Sequence, residues 1–328
     1  MINRRTLIGM AALATAAIGL NLGAIAPSFA QSKEIVYLTP GLDLPFWRYV
    51  SKGVESVAVE KGYGFQVLDS ANSAQAQLKN AQDAIARGVA GIVLSPTDSS
   101  TAPSVLQLAE AAKIPVVIAD IGTNSGTHVS FISSDNYEGA HGVGEALAAA
   151  LKEKGWQDNS VGIVSISQAR LNGQARTKGF KDALAADGIT KDAGQQQMQT
   201  YTVDETFRFT QDMMTANPDM RALFVQTDQP AIGALRAIKA ARRDGEVLVA
   251  AFDGIPEFVP LLLSGELVVS GMQQPYLMGS TSATALFDHL EGKTPEKEIV
   301  VPIVIVTSSN IAELLPTISQ TVFANEVK

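Results

Sequence analysis

From residue 35 onward the chain alternates between short, continuously apolar runs and longer segments whose apolar residues recur every three or four positions. The first run is Ile35-Val-Tyr-Leu38, followed by a helical pattern from about Trp47 to Lys61 and then by Phe65-Gln-Val-Leu68. Further runs are Gly91-Ile-Val-Leu94, Pro115-Val-Val-Ile-Ala119, Val161-Gly-Ile-Val-Ser165, Ala222-Leu-Phe-Val225 and Val247-Leu-Val-Ala-Ala-Phe252. Between them, residues 74–87, 137–154, 175–186 and 231–241 carry the spacing of helices with one buried face. An apolar run without alternation marks a strand covered on both sides, and strands separated by helices form parallel sheets. The pattern therefore predicts an α/β fold of doubly wound parallel sheets. Gly62, Gly88 and Gly155 stand where helices are expected to stop, and Asp228-Gln-Pro-Ala231 reads as a helix start.

Open parallel sheets bind ligands where the loops at the carboxyl ends of their strands converge. Those ends are polar or aromatic here: Thr39-Pro-Gly-Leu-Asp-Leu-Pro-Phe-Trp47, Asp69-Ser70, Ser95-Pro-Thr-Asp98, Asp120-Ile-Gly122, Ser167-Gln-Ala-Arg170, Gln226-Thr-Asp228 and Phe252-Asp-Gly254. Any one alone is ordinary turn and N-cap chemistry, because Asp, Ser, Thr, Pro and Gly end strands and start helices for local reasons. Together they describe a polar cleft.

The N-terminus adds a destination. Arg4 and Arg5 precede an uncharged run from Leu7 to Ile25, and Pro27-Ser-Phe-Ala30 follows. That order is a secretory signal peptide over residues 1–30, with small residues at Ser28 and Ala30 placing cleavage before Gln31. The run is diluted by Ala and Gly and ends at Pro27, unlike a membrane anchor. Asn3-Arg-Arg-Thr-Leu-Ile-Gly9 fits twin-arginine export as well as the general secretory route.

Removing residues 1–30 takes away two arginines and no acid, leaving 23 basic against 33 acidic residues, a balance of −10. A nucleic-acid partner is excluded on that balance. The chain has no cysteine, so neither a lipid-anchored precursor, a disulfide nor a thiolate metal site is available to it. His128, His141 and His289 are far apart, without metal-ligand spacing, and no metal or cofactor is expected. Gly139-Ala-His-Gly-Val-Gly144 has the glycines of a phosphate loop, but it lies inside a helical pattern, where glycines serve close helix packing. There is no Gly-x-Ser-x-Gly elbow, and an enzyme is not expected.

Several segments appear in a fixed order: Pro45-Phe-Trp47, Leu68-Asp-Ser-Ala-Asn72, Gly91-Ile-Val-Leu-Ser-Pro-Thr-Asp98 and Ile114-Pro-Val-Val-Ile-Ala-Asp120. Ser134-Asp-Asn136, Arg176-Thr-Lys-Gly-Phe180, Gln226-Thr-Asp228 and Phe252-Asp-Gly-Ile-Pro256 follow. With these the chain resembles the type I periplasmic binding proteins of the ribose-binding group, which feed ABC sugar importers, over nearly all of its mature length. The resemblance implies two similar lobes joined by a three-crossing hinge, with crossings near Ser134, Gln273 and Ile303. One lobe is expected to comprise residues 31–134 plus 274–303 and the other residues 135–273 plus 304–328, with 308–328 running past the family's usual end.

In that family aromatic rings sandwich the sugar and polar side chains bond its hydroxyls. Carried over position by position, the resemblance implies Phe46, Trp47 and Tyr201 as the rings. Asp120, Arg176, Asp253 and Gln273 form the polar set, with Ser95 and Thr227 where the ribose binders carry Asn, and Ser134 at the hinge. The chain departs from the pattern in having Ile121-Gly122 where an Arg usually follows the aspartate, and Leu44, with Asp43 before it, where Asn is usual. With Asp120 and Asp253 facing only Arg176, the expected charge of the site is −1, or −2 if Asp43 is nearby. A neutral sugar or polyol fits such a site first, and a small cation stacked on Trp47 is the alternative.

The implied role is that of the solute-binding component of an importer, presenting its ligand to the transmembrane permease subunits as a soluble periplasmic monomer. A periplasmic sensor subunit signalling to a receptor kinase would use the same fold and pocket. A transcription repressor would need a DNA-binding helix pair where the signal peptide stands. Mass spectrometry of periplasmic material is expected to find Gln31 as the first residue; an intact Met1–Ala30 on membrane-bound protein would overturn that assignment.

Overall fold

In the structure, a computed structural model that describes residues 33–326, the chain opens with β1 (Glu34–Thr39), α1 (Pro45–Glu60), β2 (Gly64–Asp69) and α2 (Ala74–Ala86). β3 (Gly91–Leu94), α3 (Ala102–Ala111), β4 (Val116–Ala119) and β5 (Phe131–Ser133) follow. A second series runs α4 (Asn136–Glu153), β6 (Ser160–Ser165), α5 (Leu171–Ala186), β7 (Asp192–Gln197) and α6 (Val203–Ala216). It continues through β8 (Met220–Val225), α7 (Pro230–Ala240), β9 (Leu248–Phe252), α8 (Phe258–Ser264) and β10 (Val269–Met272). The chain ends with α9 (Pro275–Leu290), β11 (Glu298–Val300), β12 (Val304–Thr307) and α10 (Ile311–Thr321). The expected signal peptide and its cleavage site lie outside the described residues.

These elements build two α/β lobes around two six-stranded sheets, ordered β2-β1-β3-β4-β5-β11 and β7-β6-β8-β9-β10-β12. The two orders are one topology repeated. All pairings in the first sheet are parallel, and in the second only β10–β12 is antiparallel. Helices cover both faces, so the inner strands are buried throughout, and that is why β3, β4, β6 and β9 read as unbroken apolar runs. The backbone passes between the sheets three times: between β5 and α4, between β10 and α9, and between β11 and β12.

Where helices pair, glycine sets the distance. A Cβ on Gly179 of α5 would lie 2.1 Å from the Tyr137 carbonyl oxygen of α4, and one on Gly279 of α9 would lie 2.1 Å from the Val50 oxygen of α1. The glycines of 139–144 belong to α4, where Gly144 packs on Phe180 and Ala183 of α5. α4–α5 and α1–α9 are thus equivalent close pairs, one in each lobe.

The last segment is integrated into the molecule. After β12 the chain forms α10, which packs on α8 and α9, and Val322 and Phe323 beyond it are fully buried. Glu326 then accepts a hydrogen bond from Tyr49 Oη (2.8 Å) and pairs with Lys52, both on α1. A strand of the second sheet is thereby tied back to a helix of the first lobe.

Gly179→Ala is expected to destabilise the protein by roughly 1–3 kcal/mol, because the added methyl must push α4 and α5 apart. Urea unfolding reads this as a lowered midpoint with an unchanged slope.

Candidate ligand-binding cleft

Two aspartates stand at the same place in the repeated topology: Asp120 directly after β4 and Asp253 directly after β9. Both backbones are left-handed, with φ of 64° and 62°, which Asp tolerates better than most residues and which turns each carboxylate into the space between the lobes. Around them a cavity of about 20 Å³ is walled by Leu44, Phe46, Trp47, Ile166 and Tyr201 and carries Arg170, Asn172, Arg176, Thr227 and Gln273. Pro45 in the first turn of α1 brings Phe46 and Trp47 to the cleft, their rings edge to face at 4.8 Å. Tyr201 faces them from the second lobe, with Arg170 stacked 5.2 Å over its ring.

The two carboxylates differ in their partners. Asp253 Oδ2 accepts from Arg176 Nη1 (3.3 Å) and Thr227 Oγ1 (3.4 Å), and its Oδ1 accepts from Gln273 Nε2 (2.9 Å). Arg176 also donates to Asn136 Oδ1 and to the Gln226 carbonyl, each at 2.7 Å. Asp120, by contrast, accepts one bond on Oδ2, from Asn172 Nδ2 at 3.0 Å, and its Oδ1 has no partner among the described residues. Burial pushes the Asp120 carboxyl up to about 6, against the opposing pull of the Arg176 guanidinium. Gln273 Oε1 is likewise buried without a partner. Two buried acceptors beside aromatic faces are a site for a ligand that donates hydroxyls, since an unpaired buried polar atom costs about 1–3 kcal/mol.

The lobes also hold each other directly. Arg170 Nε donates to the Thr97 carbonyl (2.9 Å), Leu171 N to Ser99 Oγ (3.2 Å), Asn172 to Asp120, and Phe46 N to Asp228 Oδ2 (3.3 Å). Asp228 is fully buried and also caps the turn into α7 through Gln229 N (2.6 Å). Burial, reinforced by the nearby Asp253 charge, pushes its carboxyl up to about 7.

Of the residues singled out in the sequence, Phe46, Trp47, Asp120, Arg176, Tyr201, Thr227, Asp253 and Gln273 surround the cavity. Asp43 does not: it is exposed, and its carbonyl receives Arg48. Nor does Ser95, a buried residue whose hydroxyl accepts from Tyr37 Oη at 3.0 Å and whose carbonyl accepts from Gln77, which fixes the end of β3. Ser134 lines a neighbouring cavity instead. Arg170 corrects the charge reading: two aspartates and two arginines line the cavity, a balance of zero rather than −1 or −2. Arg170 ends the polar strand-end sequence Ser167-Gln-Ala-Arg170, which signalled it, and Leu44 stands at the position noted for its departure from Asn, whereas Asn172 and Ile166 carry no such signal. Among the described residues no group of His, Asp and Glu is arranged to hold a metal, and no helix is long and apolar enough to cross a membrane.

Residues 35–294 match the family model of the periplasmic binding protein domain. The chain belongs to the periplasmic binding protein family. Within it the chain is of the type I fold and similar to the ribose-binding group. It is 32% identical over 293 residues to the ribose import binding protein RbsB of Haemophilus influenzae, covering 89% of this chain and 97% of that protein. It is 30% identical over 293 residues to the D-apiose import binding protein of Paraburkholderia graminis, covering 88% and 92% respectively. Among solved structures, a carbohydrate transporter solute-binding protein from Agrobacterium radiobacter in complex with D-arabinose superposes with a TM-score of 0.82 at 23% identity, covering 90% of this chain and all of that one. The Caulobacter myo-inositol binding protein bound to myo-inositol gives 0.78 at 27% identity, covering 86% and 95%.

The raised carboxyls of Asp120 and Asp228 have a measurable consequence. Between 3.8 and about 7 the folded protein binds more protons at these groups than the unfolded chain, so their contribution to stability falls as pH rises through that window. Asp228→Asn, which stays neutral, is expected to flatten the decline of Tm between about pH 5 and 7 relative to wild type. Parallel Tm profiles would show that Asp228 ionises freely.

Proposed function

We propose that this chain is the solute-binding component of an ABC importer, exported to the periplasm, and that it closes as a monomer around a neutral sugar or polyol. The lobes are residues 31–134 plus 274–303 and residues 135–273 plus 304–328, and the binding residues are Phe46, Trp47, Asp120, Arg170, Asn172, Arg176, Tyr201, Thr227, Asp253 and Gln273. The observation that carries this reading is the pair of buried, unpartnered acceptors, Asp120 Oδ1 and Gln273 Oε1, beside the rings of Phe46 and Trp47. Hydroxyl donors satisfy the first and ring C–H faces pack on the second. The balanced charge of the lining removes the excess of acid on which a cationic ligand would depend. The relatives named above are import binding proteins for ribose and apiose, and the structural neighbours hold arabinose and inositol, all of the same neutral, hydroxyl-rich class.

The mechanism follows from the division of contacts. Asp120 and the α1 rings belong to one lobe; Arg170, Arg176, Tyr201, Thr227 and Asp253 belong to the other. A ligand touching both sets stabilises the closed state by its differential affinity for it. The cavity of about 20 Å³ has room for little more than one water, so a sugar is admitted by parting the lobes, and its hydroxyls take over bonds the lobes make to each other.

A thermal-shift screen over D-ribose, D-allose, D-arabinose, D-apiose and myo-inositol is expected to find a stabilising ligand, worth about 2.7 kcal/mol at a hundred times its Kd. Trp47→Ala is expected to weaken it tenfold or more, about 1.4 kcal/mol per decade, with little dependence on salt. Stabilisation by none of these, or an unchanged affinity in Trp47→Ala, would refute the site.

A further inference from the structure

Behind Asp120 and Asn172, on the hinge side of the cleft, lies a second cavity of about 290 Å³. It is the larger of the two by an order of magnitude and approaches the lower end of the size range of small-molecule sites. Asp120 and Asn172 line both cavities, so their 3.0 Å hydrogen bond, made between the lobes, is shared wall.

The second cavity has a polar floor and an apolar rim. On the floor, Ser134 Oγ is buried without a partner among the described residues, in a residue 7% exposed, and the buried Asp120 forms part of the wall. The other polar groups are engaged: Asp135 caps α4 through Glu138 N, and Glu298 accepts from Ser133 Oγ. Phe131 and Tyr137 supply ring faces, and Leu171 and Val300 stand at the rim. These two, at 44% and 55%, are among only four exposed large hydrophobic residues in the described chain, so two of the four converge on one cavity. No lysine or arginine lines it, while Asp120, Asp135 and Glu298 do, which excludes an anionic occupant.

We propose that this cavity is a second subsite, which takes an uncharged ring carried on the sugar in the cleft, and that the preferred solute is a neutral glycoside. The inference rests on the sugar-binding reading of the cleft and names its substrate class. A sugar hydroxyl that displaces Asn172 from Asp120 opens the shared wall. A substituent then passes to the apolar rim, where burying a ring against Phe131, Tyr137, Leu171 and Val300 adds affinity that the free sugar lacks.

The test is calorimetry with matched probes: free D-ribose and D-allose, and their methyl and phenyl β-glycosides. A phenyl glycoside is expected to bind about tenfold tighter than its free sugar. Ala175→Phe, which fills the second cavity from α5 without touching the first, is expected to abolish that gain and leave the free sugar unchanged. Val300→Glu, at an exposed position, is expected to reduce the gain and serves the same purpose if Ala175→Phe does not fold. Free sugar binding with phenyl glycosides no tighter, or a gain that survives both substitutions, overturns the subsite and leaves the cleft assignment standing. Binding of neither free sugars nor glycosides overturns both.

Discussion

Arg176 and Asp253 meet 3.3 Å apart with side chains 3% and 5% exposed, and further bonds from the pair reach the segments that form the hinge and the cleft. Arg176 reaches Asn136 at the first crossing and the Gln226 carbonyl at the end of β8; Asp253 reaches Thr227 and, at the second crossing, Gln273. The pair therefore joins two crossings, two strand ends and α5 in one network. Removing either partner would strand a charge in a dry site, at a cost of about 3–5 kcal/mol, whereas the intact pair contributes little net stability. Its contribution is position: the cleft side chains of the second lobe stand where this network holds them.

That network explains why two aspartates at equivalent positions do different things. Asp253 accepts from Arg176, Thr227 and Gln273, so it holds the cleft together as well as lining it. Asp120 accepts one geometric hydrogen bond and keeps an orphaned oxygen among the described residues, and burial raises its carboxyl against the pull of the Arg176 guanidinium. Duplicated topology supplies the same left-handed turn twice, and the placement of a single arginine, on α5, leaves one copy better partnered than the other.

The fold was legible wherever burial on both faces forces an unbroken apolar run, as in Gly91–Leu94 or Leu248–Phe252. It was illegible at the sheet edge, where β7 is Asp-Ala-Gly-Gln-Gln-Gln and owes its strand form to pairing with β6 rather than to its own residues. The same division holds in the cleft. Asp120 and Asp253 declare themselves by ending apolar strands, but the partners of Arg170 and Asn172 are Thr97 and Asp120 on the other lobe, a relation no local spacing encodes. Ser95 stands at an equally convincing strand end, and only the adjacency of Tyr37 on β1 turns its hydroxyl inward.

Closure is then a contest between bonds the lobes make to each other and bonds a ligand offers in their place. Arg170 to Thr97 and Leu171 to Ser99 need no ligand, and the tail adds a further tie through Glu326 to α1. The Glu326–Lys52 pair is nearly half exposed on both sides, and such pairs are worth at most about 1 kcal/mol. The hold of the tail therefore comes from Val322 and Phe323, buried completely, whatever the salt concentration. The Asn172–Asp120 bond is different in kind, because it occupies Oδ2 of the same carboxylate whose unpartnered Oδ1 the proposed ligand engages. Under the proposed two-cavity binding, a ligand that also takes Oδ2 displaces Asn172, and the bond then no longer divides the cleft from the cavity behind. In that proposal, access to the hinge-side cavity turns on a single hydrogen bond made where the lobes meet.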